Sequence, residues 1–568
     1  MLTRLARLIS VAKGERPADL ILSNARVVNT FTGEIEPGNV AICEDKIAGV
    51  GNYHQAKQVL DLAGKYIAPG FINGHTHLES SMLDIGQYAR AVVPRGTSAP
   101  ITDLHEIANV CGLEGMRYVL NCARRLPLDL FLMAPSCVPA THLEISGASI
   151  SSKEIRQILR WRETIGLGEV MNFPGVIAGD ANVLSKIDLA RGKIVDGHAP
   201  GVSGKDLSAY IAAGIHSDHE SVSLDEAREK LRQGMHIMIR EGSSEKNLDA
   251  LLPLVTDKTY KRCFFVVDDR SCADLLRDGD IDAVVRKAIR RGLDPARAIQ
   301  MATINTAEYF RLDGLGAIAP GYFANLIVLD DLAKLEIDMV FYRGQLVARG
   351  GEPLFRLPQV DSSQVTDTVK VKPFTLDSLR LTASGKEMPV IQVVPGQIIT
   401  RKRLEKVRAE DGAIVPDIER DILKLVVVER HKATGNIGLG LVRGFGLKNG
   451  ALASSIAHDS HNIIAVGTND EDIFTAIKEI ERLQGGLVAA SGGKVSASLS
   501  LPIAGLLSPE PLESVVAQLE KLEKLAKDLG TKLPSPFATL SFLALPVIPE
   551  LRLTDLGIVD VNEFKLIS

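Results

Sequence analysis

Between residues 66 and 269 the chain repeats one pattern eight times: a short apolar run that ends in polar or charged residues. The runs are YIAPGFINGHTH, GTSAPITDLHE, DLFLMAPSCVPA, GLGEVMNFPG, KIVDGHAP, GIHSDHE, HIMIREGS and CFFVVDD. Helical patterns such as SKEIRQILRWRETIG and SLDEAREKLRQG lie between several of them. From His75 in the first run to Asp268 in the eighth is 193 residues, or about 28 per strand–helix unit. That number and spacing predict a (β/α)8 barrel over residues 66–316, with an open doubly wound sheet as the alternative.

The flanks predict two further units. Residues 1–65 and 317–375 share short alternating runs punctuated by Asn and Gly (ADLILSNARVVNT early, GYFANLIVLDDLAKLEIDMVFYRGQLVARGG late), the texture of one β-sandwich interrupted by the barrel. Residues 352–375 read as a linker, and 376–568 as a separate C-terminal α/β domain. In NDEDIFTAIKEIERLQGG, Ile473, Ile477 and Ile480 share a helix face and Gly485 ends it. In SPEPLESVVAQLEKLEKLAKDLG, Ser508 is the expected N-cap, Pro509 the first helical residue and Gly530 the stop. The glycine-rich GNIGLGLVRGFG (435–446) lacks the strand–GxGxxG–helix context of a nucleotide site and is read as turns.

Composition excludes several classes. The 568 residues are 45% hydrophobic and 24% charged with a net charge of −5, so a disordered chain and a phosphate-neutralising nucleic-acid binder are both disfavoured. Aromatics are 5% with Trp161 the single tryptophan, too few for a base-stacking platform. Six cysteines without CxxC spacing read as small buried hydrophobes in a reducing compartment. The first residues, MLTRLARLISVAKGERPADL, form an amphipathic helix by pattern, not a signal peptide, and no run approaches 18 apolar residues. A cytoplasmic protein with no membrane and no nucleic-acid partner is expected.

The chemistry lies at the ends of the runs. His75 and His77 are two apart on a strand, so both imidazoles face one side, at the mouth where barrel enzymes keep their sites. Glu169, His198, His219 and Asp268 close the fourth, fifth, sixth and eighth runs. Four histidines and two carboxylates at one mouth point to metal. His75, His77 and Asp268 would hold one ion and His198 with His219 a second, while the two oxygens of Glu169 bridge them. Imidazole and carboxylate without thiolate suit Mn2+, Fe2+ or Zn2+. His216 is the rival of His219, and Asp269 of Asp268. Glu79, His105, Glu106, His142 and Glu144 stand near the mouth: Glu79 for proton shuttling or ring contact, or else a surface ion pair, and the other four for substrate contact, with Glu106 at the start of a helical stretch alternatively only complementing the helix dipole.

The string from Ala68 to His77 (APGFINGHTH) resembles the first-strand signature of the amidohydrolase superfamily. Longer strings are similar to those of the adenine deaminases: HTHLESSM from His75, HEIANV from His105, PATHLE from Pro139, EVMNFPGV from Glu169, AHDSHN from Ala457 and LPIAGL from Leu501. The resemblance spans nearly the whole chain. It implies a barrel with a flanking β-sandwich and a binuclear divalent metal centre, Mn2+ or Fe2+ with Zn2+ possible. It also implies hydrolysis of adenine to hypoxanthine and ammonia in purine salvage, by a metal-bound hydroxide attacking C6, with Asp268 as base and then acid. A homo-oligomer, preferably a dimer, is expected. An amidohydrolase of another specificity and a non-catalytic homologue are the alternatives. Two departures stand out: Glu169 replaces the carboxylated lysine of many superfamily members, as in adenine deaminases, and Leu104 replaces the usual proline of Asp-Pro-His-Glu.

The segment AHDSHN (457–462) packs hydrogen-bonding side chains between the apolar runs ALASSIA and IIAVG. It is either a buried turn whose side chains satisfy one another or part of a domain that folds over the barrel mouth and closes it.

Overall fold

In the computed structural model, which describes residues 2–382, 385 and 387–567, the eight runs form eight parallel strands. They are β1 (Phe71–Asn73, extended by Thr76–His77), β2 (Thr97–Thr102), β3 (Phe131–Ala134), β4 (Thr164–Val170), β5 (Ile194–Gly197), β6 (Ser217–Asp218), β7 (His236–Arg240) and β8 (Cys263–Val266, extended by Asp268–Asp269). Registers run Phe71 beside Thr97, Ile101 beside Phe131, Leu132 beside Thr164 and Gly166 beside Ile194. The His216 amide reaches the Val195 carbonyl between β5 and β6. Ser217 then pairs with His236, Ile237 with Cys263, and Asp268 with Thr76, so β8 returns to β1. The ring closes, which sets aside the open sheet. Ile72, Ala99, Ile101, Met133, Met238, Phe264 and Val266 fill the interior as one buried cluster.

The first run divides between two sheets. Tyr66–Pro69 is antiparallel to Leu326–Asp331 and parallel to Ala18–Val28, in a nine-stranded sheet that also contains Glu336–Tyr342 and Gln345–Arg349. Only after Gly70 does the chain enter the barrel. A Cβ on Gly70 would lie 2.6 Å from Ser98 Oγ, which is why glycine stands at this crossing. The N-terminal helix Leu2–Ala12 packs Val11 against Ile21 and Ala48 of the same sheet.

The C-terminal domain is built on an eight-stranded sheet, antiparallel except for one pair (Glu387–Val393 with Ile437–Arg443). Its helix Asp470–Leu483 buries Ile473, Ala476, Ile477 and Ile480, is capped by the Asn469 side chain, and ends on Gln484 at φ 58°, one residue before the expected glycine. Two other expectations need correction. GNIGLGLVRGFG is not turns throughout: Ile437–Arg443 is a strand, and Gly438 is required there because a Cβ would meet the Thr554 carbonyl at 1.9 Å. Ser508 is not an N-cap; the helix begins at Leu512 behind Pro511. The Ser508 backbone instead receives the Asp84 amide and donates to the Met82 carbonyl, 2.8 Å each, tying this domain to the loop after β1. Within the stretch read as a linker, Val369, Val371 and Phe374 pack on the core of the C-terminal domain. The six cysteines are free, four of them buried.

Candidate metal centre and active site

Strand ends deliver the six residues to one place. His75 and His77 leave β1 on the same side, their rings 4.7 Å apart, and His75 stacks on His219 from the end of β6 at 4.4 Å. Asp268 has φ 61°, a left-handed conformation, while its amide donates to the His75 carbonyl at 3.0 Å. Its carboxylate Oδ1 lies 3.4 Å from His75 Nε2 and 3.2 Å from His77 Nε2. Asp269 turns away to Ser80, and His216 is exposed.

Glu169, at the end of β4, faces both halves of the cluster. Its Oε1 is 3.4 Å from His77 Nε2 and 4.0 Å from His75 Nε2, while Oε2 is 2.7 Å from His198 Nδ1 and 3.4 Å from His219 Nε2. One carboxylate oxygen therefore addresses the β1 histidines and the other addresses the β5 and β6 histidines.

Electrostatics and orphaned atoms both fit a cation. Against the upward push of burial, Arg240 and the β1 imidazoles hold Asp268 well below the usual carboxylate range. Glu169 is likewise held low by His198, His219 and His77. Burial followed by His219 lowers His75, whose buried Nε2 makes no hydrogen bond among the described residues despite the carboxylates around it. Although burial opposes it, Asp103 raises His77 and Glu169 raises His219, so the surrounding carboxylates favour positive charge at both rings. Two overlapping sets of imidazole and carboxylate, His75–His77–Asp268 and His75–Glu169–His219, converge closely enough to hold an ion.

Three residues not singled out from the sequence support the six. Asp103, after β2, lies 3.3 Å from His77 Nδ1 and 2.9 Å from His105 Nδ1, so it orients both rings. Arg240 on β7 donates to Asp268 Oδ2 (2.5 Å) and grips Glu220 with two N–H groups (2.6 and 2.9 Å). Glu220 Oε1 in turn stands 3.4 Å from His219 Nε2. The sequence carried a signal for each, a charge directly at the end of a strand run. Leu104, in the place of the proline, has φ 55°, which a proline ring forbids.

The candidates for substrate contact separate. Glu79 is buried, accepts from the Ile107 amide at 3.3 Å and leaves Oε2 without a partner among the described residues; burial, then Glu106, pushes its carboxyl up to about 7. His105 and Glu106 are buried beside it. Glu144 is buried with neither oxygen hydrogen-bonded among the described residues, and burial followed by Asp459 raises it strongly. His142 does not join them: it is exposed and edge-on to Phe564 at 5.5 Å, while Thr141, Leu143 and Glu144 around it in the same loop are buried.

A cavity of about 400 Å3 adjoins the cluster. Glu79, Glu106, Glu245 and Asp269 line its barrel side, and Ile456, His458, His461, Leu506, Phe537 and Phe542 of the C-terminal domain line the other. The segment 457–462 therefore lies over the mouth. His458 Nδ1 is 2.7 Å from Glu106 Oε1, and His461 Nε2 meets Oε2. Asn462 donates to the Ile145 carbonyl (2.8 Å) and Thr554 to that of Leu143 (2.7 Å), which fixes the loop after β3 to the same domain.

Known proteins resemble this chain in sequence. Residues 66–347 match the amidohydrolase family and residues 397–565 match the adenine deaminase C-terminal domain. Adenine deaminase of Dehalococcoides mccartyi is 65% identical over 567 residues, covering 100% of this chain and 99% of that protein. Adenine deaminase 2 of Carboxydothermus hydrogenoformans is 49% identical, covering 99% and 98%. Adenine deaminase of Clostridium acetobutylicum is 45% identical, covering 98% and 99%. With that identity along its full length, the chain belongs to the adenine deaminase family of amidohydrolases, enzymes that hydrolyse C–N bonds.

Proposed function

We propose that this chain converts adenine and water to hypoxanthine and ammonia, as part of purine salvage, at the cluster formed by His75, His77, Glu169, His198, His219 and Asp268. The observation that carries the reading is Glu169, whose two oxygens face two separate sets of imidazoles. Two divalent ions, Mn2+ or Fe2+ in preference to Zn2+, fit this donor set, and when bound they supply Lewis-acid stabilisation of charge and a nucleophilic water near neutral pH.

The protein's own groups handle the protons and the ring. Asp268 is kept ionised by Arg240 and accepts a proton from the attacking water through its carboxylate. The same carboxyl then returns a proton to the amine nitrogen as the C6–N bond breaks, so atoms and charge balance. Glu79 and Glu106, which line the cavity, are the hydrogen-bonding groups that orient the purine. Excluding water falls to the apolar residues of the far wall, Leu506, Phe537 and Phe542.

The test is turnover by purified protein supplied with Mn2+ or Fe2+, followed by ultraviolet absorbance and ammonia release, on a panel of aminopurines and hydantoin-like cyclic amides. Adenine is expected to turn over fastest, with two metal equivalents bound. Turnover of a cyclic amide in preference to adenine would replace this reading with another amidohydrolase specificity, and metal-loaded protein inert on the whole panel would replace it with a non-catalytic homologue.

A further inference from the structure

Glu106 opens the helix after β2 and is 3% exposed, yet it is not sealed in an interface, because it lines the cavity beside the metal cluster. Both of its oxygens are engaged by one hexapeptide, 457–462, more than 350 residues further along the chain. His458 Nδ1 takes Oε1 at 2.7 Å and His461 Nε2 takes Oε2. The direction of the second bond is fixed by a third group. The Ala457 amide donates to His461 Nδ1 at 3.2 Å, so that nitrogen is an acceptor and the ring proton is on Nε2. His461 is therefore a donor to Glu106 and has no Nε2 lone pair left for a metal.

The hexapeptide is itself braced. Arg430, fully buried, donates to the His461 carbonyl and, at 3.0 Å, to that of Ala504. The His458 ring lies flat on Phe542, centroids 4.6 Å apart and 23° between planes. Two rings locked by packing and by backbone contacts thus hold one carboxylate in a single orientation. A carboxylate has about four lone-pair sites; the two imidazole donors, with His105 Nε2 a further 3.5 Å from Oε1, leave at least one to accept from the cavity.

We propose that His458 and His461 are positioning residues. They fix Glu106 as the acceptor of a ring N–H of the purine, so that the C-terminal domain forms a working part of the substrate site in its own chain. The proposal rests on the adenine reading above. It predicts a defect of substrate binding, not of metal binding, because neither histidine belongs to the six-residue cluster.

The experiment uses full-length, metal-loaded protein carrying His458→Ala, His461→Ala, His458→Asn, His461→Gln or Glu106→Gln, with bound metal, kcat and KM for adenine measured for each. Asn and Gln keep an amide N–H near the positions of Nδ1 and Nε2. Each alanine variant is expected to raise KM by about tenfold or more, the scale of a misplaced charged hydrogen-bond partner, with metal content kept and kcat within about threefold. Asn and Gln should recover most of the loss. Combining His461→Ala with Glu106→Gln should cost less than the product of the single effects. If the alanine variants do not fold, the Asn, Gln and Glu106→Gln variants decide: the first two near wild type and the third impaired in KM supports the proposal. Folded alanine variants with wild-type KM, an impairment that amide side chains do not rescue, or a wild-type KM in Glu106→Gln would overturn it. Wild-type protein that does not deaminate adenine would sink the functional reading, whereas normal wild-type turnover with unmoved variants sinks this inference alone.

Discussion

At the residue scale the division of labour between adjacent groups is sharp. Asp268 and Asp269 are neighbours of the same type, but the left-handed φ of Asp268 puts its carboxylate among the imidazoles and leaves Asp269 to Ser80. Asp268→Asn should therefore slow adenine turnover by about a hundredfold or more, the usual scale for losing a general base, while Asp269→Asn stays within about tenfold. Steady-state kinetics of the two variants, with metal content checked, will show the reverse order if the assignment is off by one. Glu169 makes a second prediction. A neutral amide bridges cations poorly, so Glu169→Gln should lose at least one metal equivalent by elemental analysis together with most activity. Full metal and near-normal turnover would leave no room for a bridging carboxylate.

The elements explain what could be read in advance and what could not. The six cluster residues were legible because each lies at or just past the C-terminal end of a strand run, and a barrel collects those ends at one face. Asp103, Glu220 and Arg240 sit at strand ends too, but a lone charge there looks the same in sequence whether it holds an imidazole or meets solvent. Ser508-Pro509 has the composition of a helix start, yet its backbone is already committed to Met82 and Asp84, and that pairing across domains leaves no local trace. The density of AHDSHN was visible; its partner, Glu106, could not be inferred from spacing along the chain. The contact also gives this junction a pH dependence. Burial lowers the His458 pKa, but Glu106 outweighs it and raises the group to about 9, against about 6.5 in an unfolded chain. Its stabilisation is thus complete below about pH 6.5 and is lost as pH climbs through 9. The melting temperature of the wild type should fall more steeply from pH 6.5 to 9.5 than that of His458→Gln, by about 2 °C. Parallel slopes in a thermal-melt series would remove His458 from that role.

For the whole molecule, the governing fact is that one apolar cluster runs from Leu78, Met82 and Leu83 beside the barrel mouth to Leu506, Leu507 and Leu512 of the C-terminal domain. Domains that share a core do not melt separately, so scanning calorimetry of metal-loaded protein should give one transition; two resolved peaks would mean independent units. Excising residues 376–568 would strip this apolar surface, which makes point changes at His458 and His461 the cleaner probe of the junction. The order of the parts along the chain has a consequence in time. The cluster residues lie between 75 and 268, and His458 follows Asp268 by 190 residues. At roughly 5–20 residues per second, a ribosome makes the imidazoles and carboxylates on the order of 10–40 s before the segment that covers them. A growing chain thus presents its ion-binding groups uncovered to whatever divalent cation its surroundings hold. On the proposed metal reading, the ion taken up would then answer to the supply during synthesis as well as to the finished pocket.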